Sequence, residues 1–116
     1  MSAKTLRLTT EGGSEIATVE VAESMWSRFV GLMGREELPP GSGLCIRPCS
    51  SIHMFFMRFP LDVAFLDRED RVLRAYHGIK PWRISRVVWG AKAAIELPAG
   101  TLARAGVDAG SRLQLT

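Results

Sequence analysis

The sequence predicts a small, mainly β domain of the α+β class: an antiparallel or mixed β-barrel-like sheet carrying one or two short helices. Three observations predict it. Seven or more short segments follow the two-residue polar–apolar period of half-buried strands. Turn-forming residues recur between them about every eight to twelve residues, the rhythm of a barrel or sandwich. No strand–helix–strand alternation supports a parallel α/β sheet. At 116 residues the chain is sized for one core, so 1–116 reads as a single domain.

Residues 5–9 and 15–21 alternate with period two, and Glu11-Gly12-Gly13 between them makes a hairpin. The period then changes. Ser24 is placed as a helix N-cap, Met25, Phe29, Leu32 and Met33 follow at helical spacing, Met25, Trp26, Phe29 and Met33 form an apolar stripe, and Gly34 closes the helix. Leu38-Pro39-Pro40-Gly41-Ser42-Gly43 reads as an exposed loop, too short to link domains. Strand patterns follow at 44–47, 51–57, 61–67 and 71–77, with Asp67-Arg68-Glu69-Asp70 as a charged turn. Lys80-Pro81-Trp82 interrupts the pattern, which resumes near 85–89 and 92–97. Pro98-Ala99-Gly100 leads into a short helix from Leu102 to Ala105, stopped by Gly106, and the last strand runs from Arg112 to Leu115. Inward parity predicts a core containing Phe55, Val63, Phe65, Leu97 and Leu113.

Composition narrows the functional classes. With 47% hydrophobic and 23% charged residues, the chain can bury a core without disulfide or metal staples. Met-Ser-Ala-Lys leads directly into strand alternation, with no apolar leader segment, and no run approaches the ~18 apolar residues of a membrane span. The expectation is a soluble bacterial, cytoplasmic protein with no membrane partner and no cofactor. Cys45 and Cys49 are too few for a disulfide framework and are expected as free thiols. The net charge of +3, from twelve arginines and three lysines, is mild and contains no basic tail, which argues against nucleic acid as a partner.

Four segments stand out from scaffold: Gly31-Leu32-Met33-Gly34-Arg35, the nineteen residues from Cys49 to Asp67, Glu96-Leu97-Pro98-Ala99-Gly100, and Gly106-Val107-Asp108-Ala109-Gly110. Their order and spacing, from about residue 19 onward, resemble the family catalogued as domain of unknown function 192, small bacterial and archaeal proteins. The nineteen-residue block is the specific part. The resemblance implies a compact barrel-like β fold and no established activity. Ser111 stands where that family often shows an acidic residue, and Met54 where a small polar residue is common.

The candidate site residues are Cys49, His53, Arg58, Asp62, Trp82 and Arg83. Period two places His53 with Phe55, Met57, Leu61, Val63 and Phe65, and Asp62 with Ala64 and Leu66, so a His53–Asp62 acid–base pair requires a bulge or bend. Asp62, set among apolar residues, needs a partner. Arg58 or Arg35 is the preferred one, forming a latch across the bend, and backbone N–H groups are the alternative. Cys45, Cys49 and His53 recur at spacings of four, which on a helix would supply three metal ligands; Pro48 and the strand-like run after it oppose a helix. Cys49 and His53 could also form a thiol nucleophile pair, although nothing identifies an oxyanion hole. Trp82 and its flanking guanidinium groups could hold an anion or a stacked base, against the plainer reading of a ring packed over a barrel end. The favoured function is a domain that binds a small ligand or protein partner at one end of the barrel. The alternatives are a thiol- or metal-dependent enzyme at Cys49 and His53, and weak nucleic-acid binding through the arginines.

Overall fold

The computed structural model describes residues 4–22, 37–54 and 57–116. The helix expected after Ser24, the Gly31–Arg35 segment and the core position Phe55 lie outside the described residues.

Seven strands and one helix form the described fold: β1 (Thr5–Thr10), β2 (Glu15–Ala22), β3 (Ser42–Ile46), β4 (Leu61–Leu66), β5 (Val72–Ile79), β6 (Ala93–Pro98), α1 (Thr101–Ala105) and β7 (Leu113–Leu115). They build a single mixed sheet in the order β5-β4-β6-β3-β2-β1-β7. The β1–β2 hairpin closes where Gly13, at φ +92°, supplies the left-handed turn residue and Thr10 Oγ1 accepts the Ser14 N–H at 3.1 Å. The β4–β5 hairpin turns on Asp67, whose Oδ1 accepts the Glu69 and Arg71 N–H groups at 2.8 and 3.0 Å. Those bonds, the one from Arg71 first, hold the Asp67 carboxyl below its ordinary range. All pairings are antiparallel except β2 with β3, which makes the sheet mixed.

The sheet curls into a half-barrel. Its two edge strands meet at one corner: Arg71 pairs with Arg112, the Val72 N–H donates to Ser111 O at 2.7 Å, and the Leu113 N–H donates to Asp70 O at 2.9 Å. This contact covers the start of each edge strand, where open donors would otherwise invite a foreign strand.

Both faces of the sheet are covered, so β4 and most of β6 are buried on either parity. One face gathers Ile46, Cys49, Ile52, Met54, Met57, Phe59, Leu61, Val63 and Phe65. The other gathers Leu8, Val19, Cys45, Ala64, Leu66, Ile95, Leu97, Leu102 and Leu113. Val63, Phe65, Leu97 and Leu113 are all buried, the first two on one face and the last two on the other, so the expected single inward parity is split between two faces. Phe65 also meets the Tyr76 ring edge-on, with centroids 6.0 Å apart.

Several expected boundaries shift. Ser42 and Gly43 belong to β3 rather than to the preceding loop, and Leu38 is buried. A Cβ on Gly43 would stand 2.7 Å from Glu96 O and from Leu97 Cδ2, so β3 and β6 approach closely only because that side chain is absent. The segments expected as strands at 51–57 and 85–89 are not strands where described. They form an irregular ribbon held by one isolated bridge, His53 to Ile84. In 85–91 the buried positions are Ser85, Val88 and Ala91, a three-residue spacing that cannot follow the strand period.

Candidate functional site

Four of the six residues singled out from the sequence converge on that ribbon, and two do not. The chain from Cys49 to Met54 runs against the chain from Trp82 to Lys92. The Cys49 N–H donates to Lys92 O at 3.3 Å and the Val88 N–H to Ser50 O at 2.8 Å. The Ser85 N–H donates to Ile52 O at 2.9 Å, while Ser85 Oγ accepts the Ile52 N–H at 2.9 Å. At the far end the Met54 N–H donates to Arg83 O and the Trp82 N–H to Met54 O, both at 2.7 Å. These bonds place Cys49, His53, Trp82 and Arg83 on one double-stranded strip. The Arg86 N–H donates to Tyr76 Oη at 3.0 Å, docking the strip onto β5.

Large apolar side chains of the strip are exposed. Trp82 is 58% exposed, Ile84 66%, Val87 54% and Trp89 89%. A Cβ on Gly90 would lie 3.7 Å from Leu73 Cδ1, so the half-exposed Leu73 of β5 stands beside the strip's end. Trp82 adopts φ +68°, a left-handed conformation that is an outlier for a bulky side chain and costs on the order of 1–3 kcal/mol. Interleaved with these residues are the exposed cations Lys80, Arg83, Arg86 and Lys92, and residues 80–92 contain no Asp or Glu. Among the described residues none of the four cations makes an ion pair.

Asp62 serves another purpose. Its carboxylate is wholly buried, with Oδ1 accepting the Gly78 N–H at 2.8 Å and Oδ2 the Leu102 N–H at 3.0 Å. The Arg58 latch is therefore corrected: Arg58 is exposed and the carboxylate is occupied by backbone donors, the alternative expected for Asp62, while Arg35 lies outside the described residues. The geometry has a simple cause. β4 and β5 slip register between Leu61/Ile79 and Val63/Tyr76, and Gly78 at φ +70° sits in this bulge with its N–H turned toward Asp62. The second donor belongs to the first turn of α1, whose N-cap is Gly100 and so has no side chain to cap with. The extra residue of this bulge lies on β5 opposite Asp62, not in the chain between His53 and Asp62 where an acid–base pair would require it.

The cysteines also separate. Neither forms a disulfide and both are buried, Cys45 on the Leu8–Leu113 face and Cys49 on the opposite one. Burial pushes the Cys45 thiol up from its ordinary value. Cys49 Sγ donates to Ser51 O at 3.1 Å. Among the described residues no three His, Cys, Asp or Glu side chains stand close enough together to hold a metal, so the spacing of Cys45, Cys49 and His53 does not translate into a ligand set. Clefts of about 460, 420 and 320 Å³ lie elsewhere, along the β1–β2 turn, β7 and α1, and none borders the six candidates.

Two features were not among the candidate site residues, although Glu96 stands in one of the segments that stand out in the sequence. Val87 and Trp89 fall in the run expected as a strand near 85–89, and Ile84 in the interruption before it; the signal available was the density of apolar and basic residues without one acid in 80–92. Glu96 is wholly buried in the middle of β6, beside Leu44 and Val63 in register, and is engaged by a partner. A lone Glu in an apolar run carries no sign of which face it takes.

Comparison with known proteins agrees with this scaffold. The model of the family DUF192, described as "Uncharacterized ACR", matches residues 6–115. The UPF0127 protein of Thermococcus sibiricus is 32% identical over 112 residues, covering 90% of this chain and 70% of its own length. That of Pyrococcus furiosus is 34% identical over 110 residues, covering 88% and 90%. A crystal structure from Sinorhizobium meliloti, provisionally described as a transcription regulator, superposes with a TM-score of 0.80 at 28% identity, over 99% of this chain and 96% of that one. A protein of unknown function from Novosphingobium aromaticivorans, at 22% identity and a TM-score of 0.78 over 97% and 84% of the two chains, shares the fold. Relatives therefore include archaeal proteins, and no helix among the described residues is long and apolar enough to cross a membrane. With strand order, half-barrel and nearly the whole sequence in agreement, this chain belongs to the uncharacterised DUF192 family.

Proposed function

We propose that this domain is a binding module whose recognition surface is the outer side of the 82–89 strip, at one end of the half-barrel. The observation that carries the reading is the exposure of Trp82, Ile84, Val87 and Trp89 within eight residues. An aromatic side chain presents about 150–250 Å². Two mostly exposed indoles with their aliphatic neighbours therefore reach the size of the largest apolar patch on an ordinary monomer, about 300–600 Å², which is commonly functional. These exposed side chains line none of the three clefts formed by described residues, which favours a macromolecular partner over a small ligand.

The thiol-enzyme reading has less support. A nucleophilic cysteine needs access and thiolate character. Cys49 is 8% exposed and uses its thiol proton on a carbonyl.

The test is a photo-reactive residue placed at position 89 in cells, with the exposed position 114 on β7 as control. Adducts formed at 89 and absent at 114, and lost on adding Ile84→Asp, are the expected result. Equal labelling at both positions, or no adduct at 89, would overturn the reading.

A further inference from the structure

Resting on the strip being a binding surface, we infer that its occupant is the interfacial zone of an anionic lipid bilayer, with the two indoles seated among the headgroups and the four cations on lipid phosphates. The chemistry of residues 80–92 points there in three ways. First, Lys80, Arg83, Arg86 and Lys92 are exposed, unpaired with any described acid, and accompanied by no Asp or Glu in the segment, so the occupant must be anionic. A second copy meeting the same face would set four cations against four. Second, Ile84 and Val87 are 66% and 54% exposed, and aliphatic side chains gain little from a phosphodiester backbone, where aromatic stacking and charge suffice. Third, part of the strip's main chain is already used: the Trp82, Ser85 and Val88 N–H groups all donate to residues 50–54, so these donors are not open to an added peptide strand.

What is left is a set of projecting side chains. Trp89, at 89% exposure, stands clear of the protein. A bilayer interface accepts such a side chain without a preformed pocket, and tryptophan favours that zone because its ring is apolar and its N–H still finds water or headgroups. Basic residues beside an apolar insertion add electrostatic attraction to anionic lipid. That no described helix is long and apolar enough to span a bilayer bears on crossing it, and leaves lying against one open to the folded chain.

The experiment is flotation of the full chain with two vesicle populations, phosphatidylcholine alone and phosphatidylcholine with a third phosphatidylglycerol, at low and at physiological salt. The expected result is flotation with the anionic vesicles only, weakened by salt. Each cation near a charged surface contributes about fivefold, so Arg83→Gln with Arg86→Gln should weaken binding about thirtyfold. Trp89→Ser should weaken it further, with unchanged thermal unfolding. Equal behaviour on both vesicles, or no flotation, overturns the bilayer inference. If the position-89 adducts are then protein or nucleic acid, the strip remains a binding surface with a different occupant. If there are no adducts either, both readings fall together.

Discussion

Replacing Asp62 with asparagine tests the central structural argument, because it keeps shape while changing one acceptor into a donor. The two carboxylate oxygens each hold one backbone N–H, from Gly78 at 2.8 Å and from Leu102 at 3.0 Å, inside a fully buried setting. In the Asp62→Asn variant, either orientation of the amide leaves one of those N–H groups facing an NH₂. An orphaned buried donor costs about 1–3 kcal/mol, and the surviving bond loses its charge assistance, worth on the order of a further 1 kcal/mol. The expected destabilisation is therefore about 2–4 kcal/mol at pH 7, measured by urea unfolding with the slope unchanged. Hydrogen exchange should localise it, with the Gly78 and Leu102 amides losing protection more than the rest of β4. A change below about 0.5 kcal/mol would refute the capping role. A variant more stable than wild type would show that the carboxylate is kept at a stability cost, moving Asp62 to the head of the functional residues.

Three further outcomes are expected. Phe65→Ala removes a wholly buried ring packed on Tyr76 and should cost about 3–5 kcal/mol in denaturant unfolding; a loss under about 1 kcal/mol would contradict the assigned packing. Gly43→Ala forces a Cβ to within 2.7 Å of Glu96 O, and the resulting parting of β3 and β6 should cost about 1–3 kcal/mol, whereas an unchanged melting temperature would deny the close approach. For Cys45, burial raises the folded pKa above the ordinary 9.0, so the folded state holds the proton that the unfolded state releases. Its contribution is complete below that ordinary value and is lost as pH rises through the window toward the folded one. Unfolding followed from neutral to strongly alkaline pH should show wild type losing more stability than Cys45→Val; parallel curves would count against it.

Local character was legible in the residues alone. Alternation of Leu6, Leu8 and of Ile16 to Val21 around Gly12-Gly13 revealed the first hairpin, because strand period and turn chemistry are both carried by neighbouring residues. The 61–66 strand, its charged turn and the short helix stopped by Gly106 were readable for the same reason. The specific Cys49–Asp67 block carried the family. Which elements meet was settled only in the assembled fold. Period two says that a residue faces inward but not against what, so neither the parallel β2–β3 pairing nor the burial of β4 on both faces could be read locally. Asp62 looked for an arginine because charged partners are visible in a sequence, and it found backbone N–H groups 16 and 40 residues away, which every residue but proline offers alike. The 85–89 run has strand composition, yet it left the sheet: Trp82 at φ +68° and bonds to residues 50–54 hold it as a strip whose apolar side faces out. Exposure of Trp89 is a property of everything that does not pack against it, and no local pattern encodes that.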